Sequence, residues 1–253
     1  MAAAILARTT LLEARRGGLP WIALGVLVLA LALAAFLSQV ALTESRELQA
    51  AVTAALLRAG AVFLLAAHVA SSVLREVNDR GLELMLALPL SRTTQYVGRL
   101  GGYVACGLAL AAAFSAPLLL WASPAAVLAW GVSLALECAL VAAATLFFSM
   151  SLASVVAALA ATAGLYLLAR SIAAIQAMAA SPLAEPTLAS RAARGIVDAI
   201  AAVLPRLEGA TRSEWLLYAL PESGSYAAAL AGLLLYTALL VAAGLFDFHR
   251  RGA

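Results

Sequence analysis

Six windows of the chain, 20–42, 53–74, 96–120, 124–149, 152–177 and 225–246, are almost wholly apolar. Each holds at least the roughly 20 residues that a helix needs to cross the hydrocarbon core of a bilayer. That pattern sets the class: an all-α integral membrane protein with six transmembrane helices. Composition agrees, since only 11% of the 253 residues are charged, against about 25% in an ordinary soluble domain. Pro20 and Pro124 stand where a first helical turn tolerates proline, and Trp21, Trp121 and Trp215 fall at the expected interfaces.

The arginines give the orientation. Arg8, Arg15, Arg16, Arg75, Arg80, Arg92, Arg99, Arg250 and Arg251 fall on one side of the six windows, in short segments next to span ends, with five acidic residues among them. Arg46, Arg191, Arg194, Arg206 and Arg212 fall on the other side with seven acidic residues, most of them in one long loop. By the positive-inside rule the first side is cytoplasmic, and both termini are expected there. The first window is longer than the apolar core of a signal peptide and no cleavage site follows it, so it is expected to be retained. Ahead of it, Ile5, Leu6 and Leu12 oppose Arg8 and Arg15 at helical spacing. Residues 1–19 therefore read as an interfacial helix lying on the inner leaflet, with a frayed basic tail as the alternative.

Between the second and third windows lies a charged stretch, LREVNDRGLELMLALPLSR, at 74–92. Read as a helix, it places Val77, Gly81, Leu84, Met85 and Leu88 on one face and Glu76, Asp79, Arg80 and Glu83 on the other. Glu76 precedes Arg80 by four residues, the favourable order for a helical ion pair. Pro89 then stops the helix, and Ser91 to Thr94 make a polar start for the next span. The 75–95 loop is thus expected to be an ordered cytoplasmic helix with its charged face outward.

This stretch resembles the corresponding region of type-2 ABC-transporter permeases. The resemblance runs through Glu76, then Arg80-Gly81-Leu82-Glu83, the apolar run to Pro89-Leu90-Ser91-Arg92, and Tyr96-Val97-Gly98-Arg99. Leu82 stands where the family often has Thr, and Arg99 where Lys is usual; both leave the register intact. The layout of the whole chain is similar too, so residues 1–253 are expected to form a single permease domain. The resemblance implies that 75–95 is a coupling helix seated in a separate ATP-binding-cassette ATPase subunit, with Glu76, Asp79, Arg80, Gly81, Glu83 and Pro89 as the coupling residues. It implies a homodimer or a pairing with a similar permease, export from a bacterial cytoplasmic membrane, and an extracellular gate within the extracytoplasmic segment 178–224. The chain has no Gly-x-x-x-x-Gly-Lys-Ser/Thr loop of its own. It is therefore not expected to be an enzyme or to hold a cofactor; ATP and Mg would be bound by the partner ATPase. Membrane lipid is an expected partner and nucleic acid is not. A non-transporting scaffold that recruits cytoplasmic partners through the same loop is the competing reading.

Three ionisable residues fall inside the windows: Arg58, Glu137 and Arg170. Such residues cost roughly 2.5–3.5 kcal/mol each at a helix centre on insertion scales, so each asks for a reason. The two arginines lie within snorkelling reach of the outer boundary, but Glu137 is about 20 Å down. Glu137 is therefore protonated, paired with an arginine of a neighbouring helix, or facing a polar cavity, and the three residues form either an intramembrane ion pair or part of a substrate path. In 178–224, Ile196, Ile200, Val203 and Leu204 oppose Arg191, Arg194 and Asp198, which suggests a helix lying on the outer leaflet, and 215–220 reads as a short piece dipping into the interface. His68 lies near Ser71 and Ser72 with no nucleophile motif around it, and Cys106 and Cys138 lack any metal or redox spacing.

Overall fold

The structure, a computed structural model, describes residues 2–40, 45–78, 91–152, 154–180, 188–217 and 223–250. Among these no strand occurs. The helices are α1 (Ala2–Arg16), α2 (Leu19–Val40), α3 (Ser45–Asn78), α4 (Arg92–Ser115), α5 (Pro124–Ser151), α6 (Val155–Ala179), α7 (Leu188–Val203) and α8 (Ser223–Arg250). Short 3-10 turns follow α4 at Ala116–Leu120 and precede α8 at Ser213–Leu216. Six of the helices, α2 to α6 and α8, are long and apolar enough to cross a membrane, which fits a multi-pass membrane protein. Asp79, Arg80, Gly81, Glu83 and Pro89 lie outside the described residues, so the helix expected across 75–95 is described only at its two flanks.

Local chemistry sets the helix starts. Ser91 caps α4 by accepting from the Thr94 amide at 3.2 Å, and Ser123 accepts from the Ala126 amide at 3.4 Å ahead of Pro124 at the start of α5. Each hydroxyl satisfies one of the amides that a first turn leaves orphaned. Gly18, at φ 84, makes the left-handed turn that separates α1 from α2.

Helix α5 is the hub, packing against α3, α4, α6 and α8. Small side chains permit this: Ser133, Cys138, Ala142, Ala143 and Ala144 are all buried on it. In lipid, where water exclusion does not hold helices together, such close approach is what makes a bundle cohere. At Gly107 of α4 an added Cβ would come within 2.8 Å of the Cys138 Cβ, so glycine sets that spacing.

Helix α1 is held to the bundle. It packs lengthwise against the start of α4, where Gly98 meets Ala3 and Leu6, and Gly102 meets Ala7 and Thr10. Thr10 and Ala14 are buried there, while Ile5, Leu11 and Leu12 stay exposed on another face. The tripartite division into a packed stripe, an apolar outer stripe and exposed Arg8, Arg15 and Arg16 explains why simple two-faced periodicity under-described this helix.

The segment between α6 and α8 is also held to the bundle, with Ile196, Ile200 and Val203 of α7 left exposed. Helix α7 packs on α6, with Gln176 Nε2 donating to Asp198 Oδ1 at 2.9 Å. The chain after it turns inward: Leu207 and Ala210 are fully buried, in a cluster with Leu140, Val141, Tyr166 and Leu233. Trp215 then packs edge-on to Tyr226 at 5.1 Å between ring centroids. Residues 204–212 thus form a plug between α5, α6 and α8, and residues 218–220 of the expected second dipping piece lie outside the described residues.

Candidate functional site

Helices α3, α5 and α6 bring Arg58, Glu137 and Arg170 to one place. Arg58 Nη1 donates to Glu137 Oε2 at 2.6 Å, and its Nη2 donates to Ser133 Oγ at 3.1 Å. Tyr166 donates its hydroxyl to Glu137 Oε1 at 2.7 Å, and Arg170 Nη1 lies 3.7 Å from the same oxygen. The Arg58 guanidinium also sits 4.9 Å from the centroid of the Trp130 ring, a cation–π contact. Arg58 does not snorkel: its side chain is 1% exposed and Glu137 is 0% exposed, whereas Arg170 keeps 36% of its side chain accessible. Of the three states the sequence left open for Glu137, the geometry is the paired one.

The helical repeat explains the convergence. Ser133 and Glu137 are four residues apart on α5, and Tyr166 and Arg170 four apart on α6, so each pair shares a face and the two faces meet. Ser133, Trp130 and Tyr166 were not singled out in the sequence, where a lone Ser, Trp or Tyr in an apolar run carries no signal. The i, i+4 spacing to a charged residue was the one available clue. A buried ion pair survives in a low-dielectric core only when its remaining lone pairs and protons are also engaged. Ser133 and Tyr166 do that here, yet the centre holds two guanidinium groups and a single carboxylate. Arg58 Nε and Arg170 Nη1 are both buried without a hydrogen-bond partner.

A second polar chain ties together the end of the bundle that carries α1. Tyr103 donates to Ser72 Oγ at 3.0 Å, and Ser72 donates to Glu13 Oε1 at 2.9 Å. One turn beyond Ser72, Glu76 pairs with Arg99 of α4. Glu76 is therefore turned toward α4 rather than out along the charged face expected for 75–95, because Arg99, seven residues after Arg92, reaches it from the neighbouring helix. His68 packs edge-on to Tyr103 at 6.1 Å. At the same end Arg92 Nη1 donates to the His249 carbonyl at 3.1 Å, and Ser151 donates to Asp247 at 3.2 Å. These contacts fasten α1, α3, α4, α5 and α8 around both flanks of 79–90. Cys106 and Cys138 are free and buried, and no cluster of His, Cys, Asp and Glu suited to a metal occurs among the described residues.

Compared with models of protein families and with curated proteins, the chain matches none.

Proposed function

We propose that this chain is the transmembrane permease subunit of an ATP-binding-cassette exporter in a bacterial cytoplasmic membrane, with both termini cytoplasmic. It acts as a homodimer or beside a similar permease, and a separate ATPase subunit binds ATP and Mg and engages 75–95 through Glu76, Asp79, Arg80, Gly81, Glu83 and Pro89. The observation that supports this reading best is α3, an unbroken helix of 34 residues. At 1.5 Å per residue it is about 50 Å long. One end leads directly into the segment that resembles a coupling helix, and the other passes Arg58 in the ion centre. Both flanks of 79–90 are anchored, α3 through Glu76 and α4 through Arg99 and its packing on α1. A push on 79–90 would reach the membrane core through a rigid rod, which is how a motor in trans could bias a bundle between two packings. On this reading the 204–212 plug is the candidate gate.

The test is purification of the tagged chain in mild detergent with mass spectrometry of what accompanies it. A stoichiometric ATP-binding-cassette subunit is expected. Charge reversal of Asp79, Arg80 and Glu83 together should release that subunit while the permease remains inserted. Reproducible absence of an ATPase from the folded chain would replace the transporter by the scaffold, and an ATPase indifferent to the charge reversal would remove the coupling role from 79–90.

A further inference from the structure

A groove of about 480 Å³ runs between α3 and α6. Its walls are apolar, formed chiefly by Val62, Phe63 and Ala66 on one side and Leu159, Ala163 and Tyr166 on the other. The two helices are antiparallel, and each continues past the groove into a cation. Arg58 precedes Val62 by four residues, and Arg170 follows Tyr166 by four, so both lie one turn beyond the same end of the groove. The groove itself is a hydrocarbon body; of the two guanidiniums one turn past its end, only that of Arg170 is part-exposed.

This charged end lacks an anion. Glu137 balances one of the two guanidiniums, its contact to Arg170 is too long for a hydrogen bond, and Arg58 Nε and Arg170 Nη1 have no hydrogen-bond partner. A surplus cation inside a span carries a cost that a bound anion in this low-dielectric setting would relieve. A second copy of the chain does not offer that anion from the middle of a described span: apart from Glu137, the acidic residues of those spans are Glu47, Glu76 and Asp247, all near helix ends. A metal cation would be repelled, and a neutral lipid tail would fill the groove without touching the charge.

We infer that the α3–α6 groove binds an amphiphile with an anionic head group, its hydrocarbon tail between Phe63 and Leu159 and its head on Arg170. This rests on the transport reading in one respect: there the amphiphile is the exported substrate. Arg170, which is part-exposed, is the group that meets the ligand, while Arg58 and Glu137 position it.

The experiment uses the full chain in nanodiscs of zwitterionic lipid, with a diazirine-bearing hexadecanoate as probe and its methyl ester as the neutral control. A diazirine-bearing hexadecyl phosphate forms a third arm that separates carboxylate from phosphate head groups. After irradiation, the labelled peptides are mapped. Either acid should label the groove walls at about tenfold lower concentration than the ester, the discrimination that one charge-assisted hydrogen bond supplies. Arg170→Gln should bring the acids down to the level of the ester, and Arg170→Lys should retain the preference. Equal labelling by acids and ester would mean bulk lipid and overturn the inference, as would an acid preference that survives Arg170→Gln. Cross-linking between two copies through the groove, with no probe incorporated, would overturn it in favour of a second copy. The assay contains no ATPase, so the two readings fail separately. Acid binding without any ATPase partner would leave an anionic-amphiphile binder that does not transport, and an ATPase partner without acid preference would leave a permease for another cargo.

Discussion

Replacing Glu137 by Ala tests the ion centre most directly. The substitution removes the acceptor of the 2.6 Å bond from Arg58 and of the 2.7 Å bond from Tyr166, and the counter-charge 3.7 Å from Arg170. Arg170 is part-exposed and can turn its head outward along its own stem. Arg58, at 1% exposure under Trp130, cannot. The loss is therefore dominated by one stranded guanidinium, about 3–5 kcal/mol for a broken buried pair. The Tyr166 bond alone should matter far less, because interhelical hydrogen bonds between side chains in membranes average about 0.6 kcal/mol. Tyr166→Phe is then expected to cost no more than about 1.7 kcal/mol, the upper end of that range.

The decisive comparison is the double variant Arg58→Met, Glu137→Leu. It removes both charges and returns apolar volume, so it should be more stable than Glu137→Ala alone, even though it changes more of the network. Unfolding in mixed micelles by titration with sodium dodecyl sulfate, followed by tryptophan fluorescence, gives the free energies, and Trp130 lies against the centre it reports. A Glu137→Ala chain within about 0.5 kcal/mol of the unsubstituted protein would refute the reasoning, since exposed pairs are worth about that much. A double variant less stable than the single would refute it as well.

At Gly102 an added Cβ would meet the Thr10 Cβ at 2.5 Å, whereas at Gly101 the nearest atom, the Ala7 Cβ, is 3.9 Å away. Gly102→Val should cost about 1–3 kcal/mol by overpacking and free α1 for proteolysis, with Gly101→Val much milder; equal protease sensitivity would count against the packing of α1 on α4. Ser72→Ala strands Glu13 and Tyr103 and should destabilise by about 1–3 kcal/mol in the same micelle titration, whereas Ser71→Ala, whose hydroxyl only back-bonds to the His68 carbonyl at 3.0 Å, should be close to neutral. Both cysteines are buried, so a maleimide should label the folded chain negligibly and react at Cys106 and Cys138 only after denaturation.

How much of this was legible depended on the range of the interaction. Apolar length alone marked all six helices that are long and apolar enough to span a membrane, because a bilayer imposes that length on each helix independently of its neighbours. The expected starts at Pro20 and Pro124 fall within a residue of the helix ends at Leu19 and Pro124, since a proline and its cap act locally. Arg58, Glu137 and Arg170 were also visible, since an ionisable residue inside an apolar run stands out against its background. Their depths put Arg58 within snorkelling reach of the surface and left its pairing with Glu137 as one alternative. It turned sideways because Glu137 stands opposite on α5, and no rule of spacing along α3 contains that fact. The same holds for Glu76, whose partner Arg99 lies across the loop, and for α1, whose packed stripe was hidden by the small size of Ala3, Ala7 and Thr10 facing Gly98 and Gly102. Small-on-small packing leaves no hydrophobic signature in a sequence this rich in alanine.

The plug at 204–212 is the instructive case, because its sequence, Leu-Pro-Arg-Leu-Glu-Gly-Ala-Thr-Arg, carries three charged residues and no apolar run. Pro205, Leu207, Ala210 and Thr211 are buried, and Thr211 returns its hydroxyl to the Leu207 carbonyl at 2.9 Å. Arg206, Glu208 and Arg212 instead line a cavity of about 710 Å³ that also touches Gln176 and Tyr236. Irregular backbone is tolerated inside a membrane where it is packed in protein, and Pro205, Leu207 and Ala210 are packed in this way. A segment with one buried side and one side on a cavity gives no clean period, so its inward course could only be seen once α5, α6 and α8 were in place around it.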